Sequence, residues 1–411
     1  MSLVQDPPAA AAAPGAAPVA APATGAADRP DFPRLSLLAA GHAVTDSYGQ
    51  SLLSPMFPLI ARQMSLSLQE VGGLTTVMGL TASLAQPALG WLSDRYPRIC
   101  MVALGPFIAA VFIGLVGYAR NYGELAGLLL LAGVGIGAFH PQGATLARLA
   151  GRGSGLAMSA FTVGGNVGFG LAPLLGTFYA ATIGLKGLYL AAIPAALFAV
   201  FMAFAFYAGQ GLPASLKKTG GSGAGGSGNP VALAALTGTV VVRSAVQIGM
   251  TTFLPFLVEQ RFPVALHETL RGVAVSAVLL ASAVAGPIGG WLSDRFGRRR
   301  LMTGSFLLAP VPLLVALGLP EYGLIAGLAV GTFVLMLPHP GNVVMAQEFM
   351  PGSAGIAASL ITGLAWGLAQ LGTPLLGWCA DQYSISAALT WLSLAPLVGV
   401  LMVIPIPERT R

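Results

Sequence analysis

Charged residues are scarce in this sequence. Asp, Glu, Lys and Arg make up 8% of the 411 residues, whereas 55% are hydrophobic, and the mean hydropathy is +0.79. A soluble domain carries about 25% charged residues, so the shortage excludes a water-soluble globular protein. In place of charge the sequence has a series of long apolar runs, which predict an all-α polytopic membrane protein.

Cysteine is also rare, and long soluble stretches are missing. Cys100 and Cys379 lie in or beside different apolar runs, so the sequence implies neither a metal-binding spacing nor a disulfide. There is no nucleophile–base arrangement, no nucleotide-binding loop and no soluble segment large enough for catalysis, which argues against an enzyme, a receptor and a cofactor. The net charge of +6 does not indicate nucleic acid, because the basic residues fall in short loops between apolar runs. The expected surroundings are a lipid bilayer, in which the chain is expected to act as a monomer.

The apolar runs predict twelve membrane spans, numbered from the amino terminus. They cover residues 35–61, 70–92, 99–119, 123–147, 154–181, 187–209, 231–258, 271–292, 301–319, 322–347, 353–380 and 385–406. Spans one to six form a predicted amino-terminal half, residues 34–209, and spans seven to twelve a carboxy-terminal half, residues 231–406. The Ala/Pro-rich residues 1–33 predict a disordered cytoplasmic tail, the Gly/Ser-rich residues 210–230 a flexible cytoplasmic linker, and residues 407–411 a short cytoplasmic tail.

Lys and Arg are unevenly divided between the two sets of loops. With the amino terminus inside, 14 of the 20 basic residues fall in cytoplasmic segments and 5 on the other side, while Arg243 lies within span seven. Because basic loops are retained in the cytoplasm, both termini are predicted to be cytoplasmic.

Three short patterns recur at nearly one distance along the chain. Gly90-Trp91-Leu92-Ser93-Asp94-Arg95 returns 200 residues later as Gly290-Trp291-Leu292-Ser293-Asp294-Arg295, Phe139-His140-Pro141 matches Pro338-His339-Pro340 at 199, and Ala172-Pro173-Leu174-Leu175-Gly176 matches Thr373-Pro374-Leu375-Leu376-Gly377 at 201. Three matches at nearly one offset indicate two homologous six-helix halves.

The first pattern, between spans two and three and again between spans eight and nine, is similar to the signature loop of the major facilitator superfamily. The second copy, Gly290-x3-Asp294-Arg295-x-Gly297-Arg298-Arg299, is complete, and the first departs from it at Tyr96-Pro97-Arg98. The resemblance implies the major facilitator fold, twelve helices in two pseudo-symmetric halves around a cavity. It also implies a cytoplasmic gate that stabilises the outward-facing state. The predicted gate residues are Gly90, Asp94, Arg95, Arg98, Gly290, Asp294, Arg295 and Arg298.

A closer resemblance covers most of the amino-terminal half. The patterns that carry it are His42-x3-Asp46 with Gln50-Ser51-Leu52-Leu53, then Leu80–Pro87, Phe139-His140-Pro141 and Val163-Gly164-Gly165-Asn166. Together they are similar to the fosmidomycin-resistance family of efflux proteins. Span five adds Gly168-x3-Ala172-Pro173-x2-Gly176, which resembles a motif of superfamily antiporters. These resemblances imply proton-driven export across a bacterial inner membrane.

Ionisable residues inside the predicted spans are few: His42 and Asp46 in span one, His140 in span four, Arg243 in span seven and His339 in span ten. An ionisable group within a membrane span is a functional-site candidate, and the resemblance implies that these four spans line the cavity. His42 and Asp46 share one helix face because they are four residues apart. Arg243 and Gln247 are their counterparts in the duplication, so symmetry predicts that the two pairs face each other across the cavity.

These residues predict a proton-coupled secondary transporter, an antiporter that exports a small anionic organic compound by alternating access. Asp46 and His42 are the predicted proton-coupling residues. The predicted substrate-binding residues are Arg243, Gln247, His140, Gln142, His339 and Asn342. A substrate anion that competes with Asp46 for Arg243 would promote protonation of Asp46, which is the expected coupling step.

Two other functions use the same residues. A transition-metal transporter could bind its ion through His42, Asp46, His140 and His339, since imidazole and carboxylate suit such ions, although Arg243 would repel a cation. An organic-anion uptake symporter could use the same anion site in the opposite direction.

Structural roles also stay open. Asp46 and Arg243 could form a static ion pair. The two histidines that precede prolines could serve no purpose beyond hydrogen bonding to the carbonyls that those prolines leave free. Gly164 and Gly168 are expected to belong to a close-packing surface between helices.

Overall fold

The computed structural model describes residues 30–93, 98–152, 154–208, 228–351 and 353–408, and all regular structure in these ranges is helical. Spans one to six comprise Phe32–Ser47, Gln50–Leu53 and Phe57–Met64; Leu68–Ser93; Arg98–Gly114; Tyr122–Ala150; Gly155–Thr182; and Gly184–Ala208. Spans seven to twelve comprise Pro230–Arg261; Val264–Phe296; Arg298–Leu308 and Pro310–Gly318; Glu321–Met336 and His339–Phe349; Ala354–Ser359, Ala365–Gln370 and Gly372–Gln382; and Ile385–Val403.

The prediction of an all-helical membrane protein is confirmed. Ten described helices are long and apolar enough to cross a membrane, and they correspond to spans three to twelve. The other two predicted spans are helical as well. Span one is divided into shorter helices, and span two carries hydroxyl and amide side chains along much of its length.

Each half begins with the same backbone contact. The N–H of Asp31, just before span one, donates to the carbonyl of Ala150 at the end of span four, at 2.9 Å. The N–H of Asn229, just before span seven, donates to the carbonyl of Phe349 at the end of span ten, at 3.0 Å. Asp31 and Asn229 also accept a backbone N–H of the helix that follows, which satisfies part of each helix start. The repeat is therefore present in the folding of the chain as well as in its sequence.

Spans one, nine, ten and eleven are interrupted within the described residues, span nine between Leu308 and Pro310. Span one breaks after Ser47, where Gly49 takes an extended conformation. Span ten breaks before His339, where Pro338 and Pro340 remove two backbone donors. Span eleven contains a π-helical turn, Leu360–Leu364, a feature often found at functional sites.

Glycines set how closely span five packs on span one. A Cβ atom at Gly164 would lie 2.3 Å from the carbonyl oxygen of Ala39, and one at Gly168 would lie 2.1 Å from that of Ala43. The predicted close-packing role of these two glycines is confirmed. A Cβ at Gly176 would also meet a backbone oxygen of span one, so this span-five motif provides packing of the two helices.

Polar contacts join the two halves at the end of the helix bundle opposite Asp31. We call the opposite end, which carries the connections after spans one, seven and eleven, the far end. At its surface, Arg62 of span one pairs with Glu259 of span seven. Deeper in, Gln50 donates to Thr252 at 3.1 Å and accepts from Gln370 at 3.1 Å. These contacts hold spans one, seven and eleven together on the far-end side.

The sequence misplaced one helix start. Span eight begins at Val264, seven residues before the predicted start at 271, so His267 lies in its first turns where a loop was expected. The extension is possible because Arg271 is buried and pairs with Glu259 of span seven. The same helix continues past Asp294 to Phe296 and ends at Gly297, whose φ of +91° favours glycine.

Some predictions lie outside the described residues. They are most of the predicted tail 1–33, nearly all of the predicted linker 210–230, the last three residues, and the gate residues Asp94 and Arg95.

Candidate functional site

Asp46 contacts two histidines. Its Oδ2 lies 3.3 Å from Nε2 of His42, one turn earlier on span one, and its Oδ1 lies 3.2 Å from Nε2 of His140 on span four. The Asp46 side chain is 17% exposed and that of His140 is 29% exposed, so the group is largely enclosed and still within reach of solvent. We call these three residues the Asp46 cluster.

The other nitrogen of each ring is held by backbone. Nδ1 of His42 lies 2.9 Å from the carbonyl oxygen of Phe161 in span five. Nδ1 of His140 lies 2.9 Å from the carbonyl oxygen of Ile136, one turn earlier on its own helix. The His42 ring also stacks on Phe161, with centroids 4.2 Å apart. Both imidazoles are thus fixed in orientation, and the backbone role considered for His140 accompanies its contact with Asp46.

A glycine makes room for the cluster. A Cβ atom at Gly165 of span five would lie 2.5 Å from Nε2 of His42 and 2.8 Å from Oδ2 of Asp46. Any side chain there would occupy the space of the His42–Asp46 contact. Sterics therefore explain why glycine occupies the third position, Gly165, of the Val163-Gly164-Gly165-Asn166 pattern.

Arg243 is the counterpart of His42 in the second half. It does not pair with Asp46. It is 3% exposed. Its Nη1 lies 2.8 Å from Sδ of Met336 and its Nη2 lies 3.4 Å from Oγ of Ser244, while its Nε has no partner. In the described part of the chain no carboxylate lies within ion-pair distance of Arg243. The suggested Asp46–Arg243 ion pair is therefore wrong for this state.

The remaining predicted substrate-binding residues lie on the same helices. Gln247 is buried one turn after Arg243, and Gln142 is buried two residues after His140. His339 begins the second segment of span ten and is exposed. Asn342, one turn later, is 1% exposed and its Oδ1 has no partner. Gln247, His339 and Asn342, together with Arg243, give the second half a set of polar groups, while Gln142 belongs to the first half.

A second group of charges at the far end was not predicted as a unit. Glu259 pairs with Arg62 of the other half and with Arg271. Asp381, at the end of span eleven, accepts the backbone N–H groups of Leu68 and Gln69 at 2.9 Å each. We call these contacts the far-end clasp. One signal was available in the sequence, since Ser67-x2-Glu70 is a capping box that marks the start of span two.

The gate loops are described in the second half. Asp294 is exposed, and its side chain makes no hydrogen bond or ion pair among the described residues. Arg295 lies over the ring of Trp291, 5.6 Å from its centroid. Arg298 pairs with Glu348 of span ten at 2.8 Å, and Gly290 borders open space. In the first half Arg98 begins span three.

The Asp46 cluster is also the one place, among the described residues, where three metal-type ligands converge. One ligand atom from each of His42, Asp46 and His140 lies within 4.8 Å of the others. His339, the fourth ligand considered, lies near Arg243 and outside this group. The donors could hold a proton or a transition-metal ion.

Comparison with known proteins agrees with this architecture. A family model described as Major Facilitator Superfamily matches residues 43–266 and 239–411. The chain belongs to the major facilitator superfamily. It is therefore a multi-pass membrane transport protein and not an enzyme.

Relatives within the superfamily match along nearly the whole chain. The fosmidomycin resistance protein of Escherichia coli (strain K12) is 29% identical over 384 residues, which cover 91% of this chain and 93% of that protein. The uncharacterised MFS-type transporter YfnC of Bacillus subtilis (strain 168) is 28% identical over 395 residues, covering 92% and 94%. A crystal structure of the nucleoside transporter NupG has a TM-score of 0.72 at 14% identity and covers 91% of this chain and 98% of its own. The last likeness shows the superfamily fold alone.

Proposed function

We propose that this protein is a proton-coupled antiporter that exports small organic anions across the bacterial inner membrane, with both termini in the cytoplasm. The observation that carries the proposal is the separation of charge between the halves. One half holds a carboxylate between two imidazoles, and the other holds a buried guanidinium that has no acidic partner among the described residues. Efflux is favoured because similar proteins are named for fosmidomycin resistance and multidrug resistance.

The state of Arg243 favours an anionic substrate. Leaving a charge buried and unpaired costs several kcal/mol, so a carboxylate or phosphonate that reaches the guanidinium would recover much of that free energy. Two further polar groups lie near Arg243 on span ten. They are the exposed ring of His339 and Oδ1 of Asn342, which has no partner among the described residues. A divalent metal would be repelled by Arg243, and this repulsion favours the anion exporter over the metal transporter.

The coupling we propose differs from direct competition for Arg243. Asp46 is bound to the histidines of its own half, so substrate and protons use different halves. With the termini in the cytoplasm, the far end faces outward, and the far-end clasp belongs to an inward-facing state. Substrate then binds from the cytoplasm near Arg243, and protons return inward through the Asp46 cluster.

Everted membrane vesicles test the proposal. With an acidic interior, the wild-type protein is expected to accumulate labelled fosmidomycin, or another small phosphonate or carboxylate, against its gradient. Asp46→Asn is expected to lose accumulation driven by the pH gradient and to retain exchange of the compound down its gradient.

Arg243→Lys and Arg243→Gln separate binding from coupling. A point ammonium does not reproduce the planar guanidinium fork, so Lys is expected to weaken binding by roughly tenfold and Gln by up to about a hundredfold. Accumulation only with an alkaline interior would establish an uptake symporter. Transport of divalent metals alone would establish the metal transporter.

A further inference from the structure

Two backbone carbonyls determine where protons lie in the Asp46 cluster. A carbonyl oxygen can only accept a hydrogen bond, so Nδ1 of His42 and Nδ1 of His140 must each carry a hydrogen to bond Phe161 and Ile136. A histidine already protonated at Nδ1 has a lone pair at Nε2 when neutral and an N–H there only when it is an imidazolium. The state of each Nε2 then follows from what it faces.

Each Nε2 faces a different oxygen of one carboxyl group. The two contacts are 3.3 Å to Oδ2 and 3.2 Å to Oδ1, and an ionised carboxylate can only accept. Without a proton in a contact, a nitrogen lone pair would point at an oxygen lone pair. A neutral carboxylic acid could supply a proton to one of the two contacts and not to both. Two contacts at these distances therefore require two protons.

We infer that, in this state, the Asp46 cluster holds two exchangeable protons, one in each contact between a histidine Nε2 and Asp46. The inference rests on the proposed function only for the role of these protons in transport. The ionised carboxylate and two imidazolium rings give the cluster a net charge of +1. Removing one proton gives zero, and removing both gives −1.

The groups packed around the cluster do not supply a third proton site. Span five contributes the Phe161 carbonyl and Gly165, and span four contributes the Phe139 ring. In the other half, Arg243 and His339 are the charged or titratable residues at the depth of the cluster among the described residues of spans seven and ten. Neither lies within ion-pair distance of Asp46. The proton count therefore belongs to three side chains.

The two protons are not equivalent for movement. His42 and Asp46 are on one helix, so loss of the proton between them leaves the helices in place. His140 is on span four, and its proton joins span four to span one. Removal of that proton leaves two facing lone pairs, and the contact must open. The cluster thus couples release of one particular proton to loss of the contact between Asp46 of span one and His140 of span four.

Nitrogen NMR of the ¹⁵N-histidine-labelled protein tests the inference directly, since the chain has four histidines. At neutral pH, His42 and His140 are each expected to show two protonated ring nitrogens. His339 and His267 serve as references, and single His→Gln variants assign the signals. Asp46→Asn is expected to return both rings to neutral Nδ1–H forms. Unprotonated Nε2 atoms on both rings of the wild-type protein at neutral pH would leave at most one proton, on the Asp46 carboxyl group, and would overturn the two-proton count.

A metal would give a different pattern. If the protonated signals are absent in the purified protein and return after treatment with a chelator, a metal ion occupies the cluster and the inference is wrong. Transport is read separately, as protons exchanged per anion in liposomes, where the expected ratio is two for the wild type and one for His140→Gln. Two protonated rings without proton-driven transport would contradict the proposed function and leave the proton count intact.

Discussion

At the residue scale, the absence of a side chain at Gly165 controls the geometry of the Asp46 cluster. The position where its Cβ would lie is 2.5 Å from the His42 ring, and real Cβ contacts are not that close. Gly165→Ala should therefore push His42 or Asp46 out of place. Overpacking of this kind costs about 1–3 kcal/mol, which is small enough for the variant to reach the membrane folded.

We expect Gly165→Ala to reduce proton-driven transport at least about tenfold while exchange of substrate down its gradient continues. Gly127→Ala is the matched control. It lies in span four, where a Cβ would meet nothing within 4 Å, and it should transport at the wild-type rate. Equal proton-driven rates in the two variants would show that the His42–Asp46 contact is dispensable.

The sequence predicted part of this site. The spacing of His42 and Asp46 placed them on one helix face, and they are in contact. The position of Arg243 opposite Asp46 came from symmetry, and symmetry relates backbones, not side-chain partners. Met336 of span ten contacts the guanidinium, and a contact of this kind depends on packing between helices that are distant in the sequence.

At the scale of elements, the end of one helix in one half is held by a side chain of the other half. The carboxylate of Asp381 binds two free N–H groups at the start of span two, where the helix dipole favours a negative charge. Hydrogen bonds to a charged group contribute about 1.5–3 kcal/mol each at most in net stability. The contact is lost if the far end opens.

Asp381→Asn should weaken this contact, because an amide carries no charge and offers one acceptor oxygen. We expect the population with an open far end to rise roughly tenfold, which corresponds to about 1.4 kcal/mol. Spin-label distances between the far ends of spans two and eleven measure the change. Glu321→Gln is the control, since it is also at the far end and, among the described residues, has no hydrogen bond or ion pair. Unchanged distances in Asp381→Asn would show that the clasp does not bias the equilibrium.

Helices were predictable where apolar runs are bounded by charge, as between Phe296 and Arg298. They were less predictable where a charge is paired. Arg271 looked like the start of span eight, yet pairing with Glu259 allows it to lie within the helix. The breaks in spans one and ten lie inside predicted spans, where hydropathy averaged over a whole span does not resolve them, although Gly49 and the prolines beside His339 gave a local signal.

At the scale of the whole molecule, the recurrence of three patterns at one offset predicted the duplicated fold. The same reasoning overestimated functional symmetry. The first half has a carboxylate between two histidines, and the second has a guanidinium with no acid beside it in the described part of the chain. Because the paired spans keep their backbone arrangement, the side chains at equivalent positions can differ between the duplicated halves. Each half can therefore bind a different ligand.

The backbone bonds from Asp31 to Ala150 and from Asn229 to Phe349 have a consequence for the covalent chain. Each bond joins the start of the first span of a half to the end of the fourth span of the same half. The position of each half's first helix is therefore set within that half and does not depend on the peptide that joins the halves. Two genes, one encoding residues 1–215 and one encoding residues 216–411, should therefore yield two polypeptides that assemble in the membrane. Co-purification of the second fragment with a tagged first fragment, together with recovered transport, is the expected result. Fragments that insert but do not associate would mean that the far-end contacts alone cannot hold the halves together.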